Sequence, residues 1–203
     1  MFSRPKLGVN TAVYSNTPLA DSIEQIAQLD VDGVVIKQLG ELPDNKNLNL
    51  YGLQIFGIEA ADYGFGQMPE NFELTLDWCQ GQRCQFVVIP NPLQFEPTTA
   101  AQAQQFVTDV QQMADTAVSK KINIVVKVAH RFETTLLNTL SDAEAFIEQV
   151  GRPNVKVELG TFDLQIEEQD GAGQMGRLGE RIAFLRMSDS NQGAIGEGNM
   201  KLG

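Results

Sequence analysis

Seven short runs rich in β-branched and aromatic residues alternate with segments of helical period, and this alternation restricts the fold more than any other feature of the chain. The runs fall at 7–13, 33–37, 53–58, 86–89, 122–128, 155–159 and 182–186. Between them, "TPLADSIEQIAQL" offers Thr17 as N-cap and Pro18 at the first helical position, with Leu19, Ile23, Ile26 and Ala27 on one face. In "TTAAQAQQFVTDVQQMADTAVSKK" the apolar positions 103, 106, 107, 110, 113, 114 and 117 keep the helical period throughout. "SDAEAFIEQVG" predicts a helix opened by a Ser141/Glu144 capping box and stopped by Gly151, and "ENFELTLDWCQG" predicts a shorter one. Strands separated by helices pair in parallel through right-handed crossovers, which leaves a barrel or an open doubly wound sheet.

One motif favours the open sheet. Gly171, Gly173 and Gly176 fit G-x-G-x-x-G, the dinucleotide fingerprint, but that turn must follow a strand directly, and here it follows the polar "QIEEQD". We read the match as chance. With Gly179 added, the glycines predict a weak or broken helix after the sixth strand, since each costs about 1 kcal/mol in a helix interior.

A chain of 203 residues can bury one sizeable core, so residues 1–203 are expected to form a single domain. No apolar run is long enough to cross a bilayer, and "MFSRPK" leads into no secretory signal, which makes the cytoplasm the expected compartment. A net charge of -11 without a basic cluster argues against nucleic acid and anionic membranes as partners and for small-molecule chemistry. Cys79, Cys84 and the single histidine, His130, are too few for a structural zinc site, so the cysteines are expected to be reduced thiols.

"INIVVKVAHRFETTLLNT" sets Lys127 within a buried strand. A charge there must snorkel, find a partner or lose its proton, because desolvating it unpaired costs several kcal/mol. Period-2 alternation puts Lys156 and Glu158 on one face of their own strand, the face that position 160 shares.

The segments "RFETTLLNT", "AFIEQVGRPNVKVELGTFDLQIEE" and "SDSNQGAIGEGNM" resemble the D-tagatose/D-psicose 3-epimerase branch of the xylose-isomerase-like TIM barrels. "KLGVNTAVYSNTPLADSIEQIAQLDVDGV" and "FVVIPNP" agree more loosely. The resemblance implies an α/β fold of TIM type, a parallel (β/α) barrel incomplete at the C-terminus, with seven strands counted. It also implies a sugar isomerase or epimerase ancestry. Family members hold Mn, Co or Mg at the C-terminal mouth with Glu, Asp, His and a second Glu, and the two glutamates move a proton beside the sugar carbonyl.

Carried onto this chain, the first three ligands fall on Lys127, Gly160 and Arg186, and the fourth belongs to an eighth strand beyond "GEGNMKLG". Protonated lysine and arginine offer no lone pair and glycine no side chain, so no metal cofactor is expected. Glu133 matches a family residue that contacts substrate, Asp163 replaces the histidine after "TF", and Gln192 stands where arginine often follows "SN". From the residues alone, Glu133 is a solvated loop carboxylate.

Lys127 is therefore expected near the old metal position, paired with Glu158, Glu133 or Asp163. Substrate contacts are expected from Glu133, Asp163, Arg186, Gln192 and Glu158. The expected function is a barrel inactive as a metal-dependent ketose epimerase that at most binds a sugar or small anion. Two alternatives stand beside it: new chemistry through a Schiff base on Lys127, and a non-catalytic scaffold or shortened chain. Seven strands leave two open edges, so a homo-oligomer built through them is expected.

Overall fold

The computed structural model describes residues 4–37, 42, 48–60, 64–69, 71–92, 97–193 and 195–200, and all seven predicted strands form. They are β1 (Gly8–Asn10), β2 (Gly33–Lys37), β3 (Gln54–Glu59), β4 (Phe86–Ile89), β5 (Asn123–Lys127), β6 (Val155–Gly160) and β7 (Ile182–Arg186). All pairings are parallel and the order is β1-β2-β3-β4-β5-β6-β7. Among the described residues β7 does not pair with β1. The sheet is thus a (β/α)-type barrel of seven strands with unclosed edges.

Alternation sorts the side chains onto two faces. Val34, Ile36, Ile58, Val87, Ile124, Val126, Val157 and Leu159 share one continuous apolar core with residues of the helices, among them Ile23, Phe72, Phe106 and Phe146. The opposite face lines the barrel. At its N-terminal end Phe86 of β4 meets Phe184 of β7 edge to face, with ring centroids 5.2 Å apart, although two strands lie between them. Such a contact requires a strongly curled sheet. Phe56 covers β1 and β2 at positions without side chains: a Cβ on Gly8 would fall 2.8 Å from its ring, and one on Gly33 2.9 Å. At the C-terminal end the same face presents Asn10, Lys37, Glu59, Lys127, Glu158, Gly160 and Arg186.

The helices are α1 (Leu19–Ile26), α2 (Phe72–Gly81), α3 (Ala100–Val118), α4 (Leu140–Val150), α5 (Thr161–Glu167) and α6 (Gly171–Leu178). Helix α3 opens with a capping box between Thr99 and Gln102 and buries Phe106, Val110, Met113 and Ala117 on one stripe. The helix after β6 is broken as expected, but at 168–170 rather than at the glycines: α5 ends at Glu167, and Gly171, Gly173 and Gly176 lie within α6, with Gly179 as its C-cap. Asp170 caps α6 by accepting Gly173 N–H at 3.0 Å, so these glycines build a helix start rather than a nucleotide turn.

Three expectations are corrected. The capping box of α4 is Thr139/Asp142, not Ser141/Glu144, and Glu144 pairs instead with Arg177 of α6. The cap position of α1 is Pro18, which makes no side-chain cap, rather than Thr17. The first strand stops at Asn10 instead of 13, because the Asn10 carboxamide accepts Ala12 N–H at 2.9 Å and turns the chain into a 3-10 helix over Thr11–Tyr14. Cys79 and Cys84 are buried free thiols, as expected. Among the described residues no helix is long and apolar enough to cross a membrane.

Candidate functional site

The C-terminal ends of the strands gather a ring of charged groups. Lys127 is the last residue of β5 and lies in register with Glu158 of β6, while Gly160 is in register with Arg186 of β7. On the other side of the mouth Lys37 of β2 is in register with Glu59 of β3. Glu59 accepts a hydrogen bond from Asn10 Nδ2 at 3.0 Å, and Lys37 Nζ stands 3.9 Å from its other oxygen.

After β5 the chain turns at His130, whose carbonyl accepts Glu133 N–H at 2.9 Å. This turn brings Glu133 back over the strand end. Its Oε2 lies 3.3 Å from Lys127 Nζ and its Oε1 3.3 Å from His130 Nε2, the latter in a geometry that makes no hydrogen bond. His130 Nδ1 accepts Phe132 N–H at 3.3 Å, which leaves the ring proton of neutral imidazole on Nε2, facing Glu133. The ring is 5% exposed and packs edge-on against Phe162.

Helix α5 begins directly after β6, so its first turn stands over the mouth. Asp163, 3% exposed, reaches back from that turn. Its Oδ1 accepts the backbone N–H of His130 at 3.0 Å and its Oδ2 accepts Arg186 Nη2 at 2.9 Å. A Cβ on Gly160 would fall only 2.0 Å from this Oδ2, so the carboxylate fills the space a side chain at 160 would need.

Glu158 sits at the centre, 7% exposed, with Oε1 3.9 Å from Arg186 Nη1. Burial pushes its carboxyl above the ordinary glutamate range. Arg186 pulls it back down, Glu59 raises it from across the barrel, Lys127 lowers it and Asp163 raises it. The mouth is therefore a connected set of four carboxylates and three cations that feel one another's charge.

The loop after β7 is tied to this ring. Thr161 Oγ1 donates to Ser188 O at 2.7 Å and accepts Ser188 N–H at 3.0 Å. Buried Asp189 gathers the N–H groups of Met200 at 2.9 Å, Ser190 at 2.6 Å and Gly196 at 2.8 Å, which hold its carboxyl well below the ordinary aspartate range. A Cβ on Gly198 would collide with the same carboxylate at 2.2 Å.

Of the residues singled out in the sequence, Lys127, Glu133, Glu158, Asp163 and Arg186 come together. Gln192 does not join them: it is exposed in a left-handed turn, φ 61, with its backbone N–H on Asp189 O. Asn10, Lys37, Glu59 and His130 belong to the ring and were not singled out as binding residues. Alternation selected Glu158 from position 160, which the resemblance had fixed, whereas β2 and β3 offered no such anchor for Lys37 and Glu59. Among the described residues no group of three or more His, Cys, Asp and Glu is arranged to hold a metal ion.

The family model for the xylose isomerase-like TIM barrel matches residues 20–203. The L-ribulose 3-epimerase of Methylomonas sp. (strain DH-1) is 34% identical over 104 residues, which is 51% of this chain and 36% of the relative. That of Mesorhizobium japonicum is 32% identical over 141 residues, 70% of this chain and 48% of the relative. These alignments span less than half the relatives' own length. The crystal structure of the D-allulose 3-epimerase from Methylomonas sp. in complex with D-allulose superposes with a TM-score of 0.83 at 24% identity, covering 97% of this chain and 76% of that one.

Proposed function

Because the chain belongs to the xylose isomerase-like TIM barrel family, we propose that its C-terminal mouth is a sugar site in which internal ion pairs stand where relatives hold a divalent metal. It binds a small sugar or sugar-like anion and does not carry out metal-dependent ketose epimerisation. The observation that carries this reading is the Asp163 carboxylate, which occupies the side-chain space of position 160 and is committed to Arg186 and the His130 N–H.

The donor set does not fit a hard dication. Of the three carried-over ligand positions, 127 and 186 present cations and 160 presents no side chain, so a metal would meet charge repulsion before it met a lone pair. Asp163 cannot substitute without abandoning Arg186, and a buried charge stripped of its partner costs roughly 3–5 kcal/mol. Fixed cations can hold the surrounding carboxylates in place as a metal would. They do not bring two substrate oxygens to one Lewis acid.

What the ring offers a ligand is hydrogen bonding. Glu133, Glu158 and Glu59 accept from hydroxyls, while Arg186, partly exposed, and Lys37 donate to a carbonyl or carboxylate. Lys127 is held on Glu133, a use of its ammonium as a charge that favours this reading over a Schiff-base amine.

The test is elemental analysis of the purified chain combined with calorimetric titration of L-ribulose and D-psicose, with and without added Mn. Weak, saturable binding that ignores metal and chelator is expected, with no 3-epimer formed. One tightly bound ion per chain, or epimer appearing on addition of metal, would refute it.

A further inference from the structure

The opposite, N-terminal end of the barrel opens into a cavity of about 470 Å³, a volume within the range of small-molecule sites. Its lining combines two aromatic rings, Phe56 and Phe86, with two cations, Lys6 and Arg83. Between them stand the carboxamides of Gln54, Gln82 and Gln85. We propose that this end is a second binding site, for a small anion with a flat apolar body such as an aromatic or heteroaromatic carboxylate.

The argument rests first on unmatched charge. Acidic residues outnumber basic ones by 26 to 15 in the whole chain, yet none of the described lining residues is acidic. Lys6 Nζ donates to the neutral Gln54 Oε1 at 2.6 Å and stands 5.8 Å from the centre of the Phe56 ring. Arg83 enters no ion pair among the described residues, whereas Lys120, at the end of the neighbouring α3, pairs with Asp77. Asp32, beside β1 at the same end, is already engaged by Arg4 at 2.8 Å and by Leu7 N–H at 2.9 Å. Two cations that line one opening with no counter-ion among the described residues attract an anion.

The carbonyl end of α2, which borders the opening, does not oppose this. Three of its last four carbonyls, at Trp78, Cys79 and Gln80, already accept the N–H groups of Gln82, Cys84 and Arg83. The apolar body follows from the walls. Phe56 and Phe86, with Leu50 and Leu53 beside them, offer ring faces and methyl groups to one side of the ligand. The carboxamides give directional contacts at its rim. An inorganic anion would use the cations and waste the rings; a neutral aromatic would do the reverse.

The experiment titrates benzoate, benzyl alcohol and inorganic phosphate into the full chain, by calorimetry and by backbone amide shifts. Benzoate is expected to bind saturably and to move amides at 54–56 and 82–86, with benzyl alcohol and phosphate each at least about tenfold weaker, a factor worth 1.4 kcal/mol. Lys6→Gln with Arg83→Gln should weaken benzoate by about tenfold or more and leave the melting temperature unchanged, since both side chains are exposed. Benzoate binding that survives the double substitution, shifts confined to the Lys127–Arg186 end, or no saturable binding of benzoate would each overturn the proposal.

Discussion

A methyl group on Gly160 would place its carbon 2.0 Å from Asp163 Oδ2, so Gly160→Ala must push a buried carboxylate off Arg186. Overpacking of this kind costs roughly 1–3 kcal/mol, read as a lowered denaturant midpoint. In an Asp163→Ala background the carboxylate clash is gone and only the end of the Arg186 side chain, 3.1 Å from the new carbon, has to give, so the cost should fall by more than half. Equal costs in the two backgrounds would show that the two positions are not coupled. Two other carboxylates of the C-terminal end respond to pH with opposite sign. Glu158 has a folded pKa raised above its unfolded one, so it withdraws stability as pH rises from the ordinary glutamate range through the folded value. Glu158→Gln should thus equal the parent in acid and be the more stable of the two at neutral pH. Asp189, lowered by its N–H donors, contributes stability above the ordinary aspartate range that is lost as pH falls. Asp189→Asn should be the less stable at neutral pH, with the gap to the parent beginning to narrow as pH falls below the ordinary aspartate range. Unfolding curves of both variants between about pH 3 and pH 7 check the two signs together.

At the scale of the elements, Thr139 and Ser141 separate two descriptions of how α4 starts. Thr139 Oγ1 accepts Asp142 N–H at 3.0 Å and the Asp142 carboxylate accepts Thr139 N–H at 2.9 Å. Thr139→Ala should cost about 1 kcal/mol and Ser141→Ala only a few tenths, by urea unfolding. The S-x-x-E pattern at Ser141 was as good a cap by residue type. What decides is the preceding turn, where Asn138 Nδ2 donates to Ala129 O at 2.7 Å and to Thr134 O at 2.9 Å and so fixes where the helix can begin. Such tertiary anchoring leaves no trace in a local pattern. The strands were legible because β-branched runs such as "FVVI" and "GVVIK" bury one face against helices of clear period. Part of the ring at the mouth was legible too: Lys127 stands out as a charge in an apolar run, Glu158 follows by alternation from position 160, and Arg186 and Glu133 came from the resemblance. His130 and Asp163 were harder to place, since a loop histidine and a first-turn aspartate acquire their roles from the path of the chain after the strand ends.

For the whole molecule, the outer edges of β1 and β7 have no strand partner among the described residues. Leu7 beside β1 is 51% exposed, and Leu185 in β7 is 44% exposed. Met187 and Ile195 add apolar surface near β7. Unpaired N–H and C=O groups beside apolar side chains favour association, and a second copy of the chain supplies a matching edge. Sedimentation is expected to show a dimer or larger species at micromolar concentration, shifted toward monomer by Leu185→Lys. A folded monomer whose β1 amides resist exchange would rule this out. The order β1 to β7 also bears on how the molecule comes to exist. Every strand pairing described joins elements that are neighbours along the chain. A growing polypeptide can then lay down each of these strands on the one before it as both leave the ribosome, and none of the six described pairings waits for a distant segment to be synthesised.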